Sequence, residues 1–383
     1  MTSASHVSTE AAGRVSRERV TWLASIAFCG VVPVVVLVGV YLQAIHDGNS
    51  AMDFRQFYRG AELILDGVNP YPADGASLIA SARPYVYPPF PALLAVPLTS
   101  LSVDHAAMLA MTLTILAVPA ILLVLGVRDW RCYGVAFLWP PVISAIQTSN
   151  PTLWFALAAA LAWRFRNRIG LTSVIVGLTL AVKFVLWPLL VWLVATRRVG
   201  TAAIAAATGA VLLVASWAVI GFAGFADYPD LLHRLEETVG VDAYTVRMLA
   251  LDLGAPESVA RGTWLAIGVA FLVAVVLTAL RGDERRAFML TIGAALALSP
   301  LVWLHYFALL LVVVALARPT LGLVWMVPLL MLGSPGTGTP TTTEAALALL
   351  AAALTLGLAL RTPAAQLSSV VETTPPPAVA RSA

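Results

Sequence analysis

Apolar runs long enough to cross a bilayer recur from residue 21 to residue 360, separated by short polar stretches that hold most of the arginines. A helix needs about 20 apolar residues to cross the hydrocarbon core, so the pattern predicts an all-α integral membrane protein. Basic residues cluster at Arg14/Arg17/Arg19, Arg128/Arg131, Arg164/Arg166/Arg168, Arg197/Arg198, Arg281/Arg285/Arg286, Arg318 and Arg361. Placing every cluster in the cytoplasm predicts spans at about 21–43, 106–127, 133–147, 152–163, 202–222, 264–280, 288–301, 304–317, 321–332 and 345–360. The run 170–195 reads as two short helices turning near Lys183, because a single span would leave Arg197/Arg198 on the wrong side. The total is roughly twelve spans with both termini cytoplasmic. Segment 89–101 is too short to span alone and reads as a partly inserted piece of the first external loop.

These assignments predict a cytoplasmic tail (1–20), a membrane domain (21–361) and a second tail (362–383). The second tail is rich in Pro, Ser, Thr and Ala and is expected to be disordered. Within the membrane domain lie external loops 45–104 and 223–261. The first apolar run is too long for a signal-peptide core and reads as an uncleaved span. Composition agrees: 60% of residues are hydrophobic and 11% charged, outside the range of a soluble domain. A net charge of +3 does not point to nucleic acid. Cys29 and Cys132 sit within apolar runs and read as packing residues.

The first external loop carries the densest polar chemistry. From Asp53 onward, Phe54, Phe57, Tyr58, Ala61, Ile64 and Leu65 recur at helical spacing, with Arg55, Arg59, Glu62 and Asp66 opposite and Gly67 as a stop. This predicts an amphipathic juxtamembrane helix. Asp53 reads as an N-cap, worth about 1 kcal/mol, or as a general base, and the two roles are compatible. In the second loop Leu231, Leu232, Leu235 and Val239 share a helical face, which predicts a helix lying along the membrane surface.

The stretch DFRQFYRGAELILDGVNPY followed by YVYPPFPALLAVPL resembles the start of glycosyltransferase family 87, the polyprenol-phosphate-mannose-dependent mannosyltransferases of actinobacteria with a GT-C fold. QTSNP (147–151), LTLAVKFVLWPLL (178–190) and LSPLVWLHYF (298–307) extend the similarity with lower specificity. The resemblance implies a GT-C-type bundle with Asp53 as catalytic base toward a sugar hydroxyl. It also implies α-(1→2) mannosyl transfer to a phosphatidylinositol mannoside, lipomannan or related envelope glycolipid at the external face of the cell membrane. The family's late motif usually carries two adjacent histidines; here His305 is followed by Tyr306.

The charge-derived path places Gln147, Asn150, Lys183 and His305 at the same external face as Asp53. Polar groups within spans are costly and mark function. Lys183, with no acid within a turn, reads as a snorkelling lysine or a phosphate ligand. His305 reads as a hydrogen-bonded helix-end residue or a donor to phosphate or acceptor. Gln147 and Asn150 read as turn caps or sugar contacts. Tyr85, Tyr87 and Trp303 read as interfacial belt residues, with sugar stacking as the alternative. Arg55 and Arg59 read as partners of Glu62, lipid headgroups or the donor phosphate, and Tyr58 joins the candidate binding set.

No D-x-D, P-loop or G-x-G-x-x-G follows a strand, and no metal-ligand spacing is present. A lipid-phosphate leaving group carries less charge than a nucleotide diphosphate, so a reaction needing neither cofactor nor metal is expected. A pentosyl (arabinofuranosyl) transferase using the same carrier is the second enzyme reading. A transporter or flippase is the reading of different class, and would need a polar path across the midplane with paired halves.

Overall fold

The computed structural model describes residues 19–46, 50–71, 85–336 and 338–363. The expected tails therefore lie almost wholly outside the described residues. In chain order the helices are α1 (Arg19–His46), α2 (Met52–Leu65), α3 (Pro89–Ala95), α4 (Val103–Val124), α5 (Trp130–Leu138), α6 (Pro140–Thr148), α7 (Thr152–Arg164), α8 (Ile169–Val182) and α9 (Pro188–Ala195). They continue as α10 (Val199–Val219), α11 (Tyr228–Val239), α12 (Val246–Asp252), α13 (Glu257–Leu280), α14 (Glu284–Leu298), α15 (Leu310–Ala317), α16 (Leu323–Met326) and α17 (Thr342–Arg361). No strand occurs among the described residues. By length and composition α1, α4, α10, α13 and α17 can each cross a membrane, and several shorter apolar helices pack among them.

The chain breaks where it lacks a donor or meets a proline. Pro140 and Pro141 cannot continue the ladder of α5, so Trp139 is extended and α6 restarts, with the Trp139 indole donating to the Trp325 carbonyl at 2.9 Å. At Lys183 the backbone is also extended (φ −161°, ψ 133°) before a short 3₁₀ turn and Pro188 open α9. Arg166 and Arg198 both reach Glu284. The basic residues flanking 170–195 thus share one end of the bundle, as two short helices require.

That end is knitted by arginines on helix-terminal carbonyls, the orphan acceptors of a helix C-terminus. Arg285 donates to the carbonyls of Leu316 (3.2 Å) and Thr362 (2.5 Å), and Arg286 to that of Leu360 (2.7 Å). Asp129 accepts from Arg131 and from the Leu321 amide at 2.9 Å. Elsewhere glycine permits close crossing: a Cβ on Gly134 of α5 would fall 1.7 Å from the Cys29 carbonyl, in a π-helical turn of α1. Cys29 and Cys132 are buried and free.

At the opposite end α2 and α3 fold onto each other. The Tyr85 ring lies over Gly60, and the Tyr58 hydroxyl donates to the Leu101 carbonyl at 2.8 Å. Segment 89–101 thus packs with the first loop. Tyr71 stacks on Trp217 at the end of α10 (4.9 Å) and donates to the Tyr87 carbonyl at 2.5 Å.

Four expectations change. Ala51, with φ 56°, is the N-cap of α2, and Asp53 lies in the first turn. Helix α13 starts at Glu257, ahead of the expected span at 264–280, because a proline N-cap with Glu257 in the first turn opens it before its apolar run. Helix α14 stops at Leu298, since Pro300 drives Ser299 to an extended backbone. The apolar face of α11 covers a cavity and the aromatic cluster around Tyr71 and Trp217.

Candidate active site

The QTSNP turn organises the site. Helix α6 closes with Ser149 in the left-handed region (φ 49°) and the Asn150 amide on the Ala145 carbonyl at 3.0 Å. Beyond this turn Pro151 leads into α7. The first loop docks here through the Ala51 amide, which donates to the Gln147 carbonyl at 2.8 Å. In the first turn of α2, the Asp53 carboxylate accepts from the Asn150 side-chain amide at 2.8 Å. Asp53 is 9% exposed, and the helix N-terminus beneath it favours negative charge.

Lys183 protrudes from the break between α8 and α9. Its ammonium donates to the Tyr306 hydroxyl and lies 5.0, 5.1 and 5.8 Å from the ring centroids of Tyr87, Tyr306 and Trp303, an aromatic cage for a cation. His305 stacks on Tyr306 at 5.2 Å and is 4% exposed. Neither ring nitrogen of His305 has a hydrogen-bond partner, a costly arrangement unless a ligand completes it. The buried Gln56 side-chain oxygen also lacks a partner.

Asp53, Gln56, Tyr87, Lys183, Trp303 and His305 line one cavity of about 960 Å³. Its remaining wall is mostly apolar, formed by residues such as Leu180, Phe184, Leu213 and Leu298, with Tyr228, Leu232, Leu235 and Val239 of α11 across the top. The α11 residue Glu236 also faces the cavity and is held by Arg247 (2.5 Å), which in turn reaches Glu257 (2.7 Å). Burial pushes the Tyr87 hydroxyl well above its ordinary range, and the neighbouring Asp53 charge adds to this, so the phenol stays protonated.

Arg55, Tyr58, Arg59, Gln147 and Asn150 fall outside the cavity wall. Arg55 pairs with Asp104 at 2.6 Å and with the Ser50 carbonyl at 2.8 Å. Arg59 is exposed, and Tyr58 is bonded to Leu101. Gln147 contributes its backbone, and Asn150 stands behind Asp53. Tyr85 and Tyr87 are buried, at 5% and 4% exposure, rather than set in an interfacial belt, and Trp303 faces the cavity. Asp53 is not an N-cap, and His305 has no hydrogen bond to the helix end. Sequence reasoning passed over Gln56, although it lies three residues after Asp53 on the same helical face. It passed over the Lys183 partnership of Tyr306, which leaves no local signal, and over Thr152, which donates to the Asn150 side-chain oxygen two residues before it, a local Asx pattern. Among the described residues, no three His, Cys, Asp or Glu side chains group as metal ligands.

A carboxylate, a caged ammonium and an unpartnered imidazole on one largely apolar cavity supply acid–base and anion-binding chemistry inside a membrane-type bundle, as a membrane-bound transferase requires. The family model for glycosyltransferase family 87 matches residues 85–300, more than half of the chain, and the chain belongs to that family. It is a glycosyltransferase. The matched stretch contains Tyr87, Asn150 and Lys183; Asp53 precedes it, and Trp303 and His305 follow it. No curated protein matches the chain, and no solved structure does.

Proposed function

We propose that the enzyme transfers mannose from polyprenyl-phosphate-mannose to an envelope glycolipid of the phosphatidylinositol mannoside or lipomannan type, forming an α-(1→2) linkage. Asp53 takes the proton of the acceptor hydroxyl as its oxygen attacks the anomeric carbon. The bond from that carbon to the phosphate oxygen breaks, and polyprenyl phosphate leaves with the electron pair. A single displacement on a β-linked donor gives the α-mannoside.

The observation that carries this reading is the unpartnered imidazole of His305 beside the caged ammonium of Lys183. Two nitrogen groups at the polar end of an apolar trough suit one phosphate on a lipid chain. Phe184, 63% exposed and stacked on Trp187, offers the chain an apolar exit toward the bilayer. The topology belonging to this reading has about twelve crossings. The shorter segments (α5 with α6, α7, α8, α9, α14, and the stretches after Trp303 and Gly322) supply the seven beyond the five long ones. The cavity is then external and both termini are cytoplasmic.

The test is transfer of labelled mannose from polyprenyl-phosphate-mannose to a phosphatidylinositol mannoside in proteoliposomes. Asp53→Asn is expected to lower kcat at least 100-fold while donor binding persists. Full activity of that variant rules out Asp53 as the base. Transfer from a lipid-linked pentose in preference to mannose rules out the donor.

A further inference from the structure

We propose that Asn150, held in one amide orientation by Thr152, is a positioning residue for Asp53: it sets the direction of the carboxylate and favours its ionised form. The catalytic consequence rests on Asp53 being the base; the structural claim does not.

Asn150 is 2% exposed and is absent from the cavity wall, so its side chain addresses the protein and not a ligand in that cavity. Its carbonyl oxygen accepts twice from Thr152, from the backbone amide at 2.9 Å and from the hydroxyl at 2.6 Å. An asparagine has one acceptor end and one donor end. With two donors on the acceptor end, the NH₂ group must face the other way, where it meets Asp53 Oδ2 at 2.8 Å. A hydrogen bond donated to a carboxylate is charge-assisted and favours the charged form.

The backbone keeps the pair in register. The Ala51 amide on the Gln147 carbonyl ties the start of α2 to the turn that carries Asn150. Left-handed Ala51 and Ser149 shape the two meeting segments. Arg55 on α2 is turned to Asp104 of α4, and Tyr87, which feels the Asp53 charge, is a neutral phenol. The sequence of α6 contains no charged residue, and Lys183 on the same cavity is directed to Tyr306. The neutral Asn150 donor thus favours both the charge and the direction of the carboxylate.

The experiment follows the carboxyl stretch of Asp53 by infrared titration of the full chain in nanodiscs, with the spectrum of Asp53→Asn subtracted. Removing the donor in Asn150→Leu, of similar branched shape, is expected to raise the Asp53 midpoint by about one pH unit, a tenfold change in proton affinity. Thr152→Val deletes one of the two anchors and is expected to produce a smaller shift in the same direction, which keeps the test alive if Asn150→Leu folds poorly. In the transfer assay the acidic limb of kcat/KM is expected to move upward by the same amount, with donor KM unchanged. An unshifted infrared midpoint in both variants overturns the proposal. A shifted midpoint with an unshifted activity limb, where Asp53→Asn is inactive, overturns its catalytic part. Full activity of Asp53→Asn removes the base assignment and leaves the infrared result to decide the structural claim.

Discussion

Lys183 and Tyr306 are the residues whose chemistry depends most on each other. A lysine at the end of an apolar helix normally extends toward headgroups. Here the hydroxyl of Tyr306 and three aromatic faces hold it within the bundle. The tyrosine standing where the family's motif usually has a second histidine is therefore the residue that presents the cation. Replacing Lys183 by Met removes a charge-assisted contact of about 1.5–3 kcal/mol, and donor KM is expected to rise 10- to 100-fold in the proteoliposome assay. Tyr306→Phe keeps the ring and loses only the acceptor, so a rise of about fivefold is expected. Equal effects of the two variants would contradict the assigned partnership.

The elements show how much depends on interrupted helices. A continuous helix across 170–195 would leave Lys183 among lipid-facing turns, whereas the extended backbone at that residue aims the chain back and exposes the ammonium to the cavity. Close crossings hold these pieces together. In α5, Gly134 meets the Cys29 carbonyl where a Cβ would sit at 1.7 Å, a distance that no side-chain rotation relieves. Gly134→Ala is expected to separate α1 from α5 and to lower the melting temperature in detergent sharply. Gly39→Ala, with nothing within 4 Å of the added carbon, is expected to leave it unchanged. Helix α11 was legible as amphipathic from its leucines. Its partner was not, because the rings that receive Leu231 come from Tyr71, Tyr85 and Trp217, far apart in sequence.

At the scale of the molecule the two ends differ in kind. One is a lattice of arginines on helix-terminal carbonyls and acids. The other is an aromatic and apolar enclosure around a few isolated polar groups. The twelve-crossing reading is tested by single cysteines in a chain whose Cys29 and Cys132 are replaced, using a reagent that cannot cross membranes. Val68→Cys and Ala255→Cys are expected to react from outside intact vesicles of native orientation, and Arg197→Cys and Arg281→Cys only after permeabilisation. Any one position labelled from the wrong side breaks the alternation.

The sequence by itself determined the helical membrane class, the amphipathic start of the first loop and the turn at Lys183. Each is a local matter of apolar run length, 3.6-residue period or the placing of arginines. It also singled out Asp53, His305 and Lys183, because polar groups are conspicuous in an apolar chain. Tertiary structure alone decided which candidates meet. Arg55 read as a partner of Glu62, a lipid headgroup or the donor phosphate, and the packing pairs it with Asp104, 49 positions away. Asn150 read as a turn cap or a sugar contact; its oxygen takes the Thr152 amide, and α2 brings Asp53 to its NH₂ group across 97 positions. A side chain's chemistry is written in its identity, but its partner is set by how distant helices pack, and one sequence carries no direct record of that.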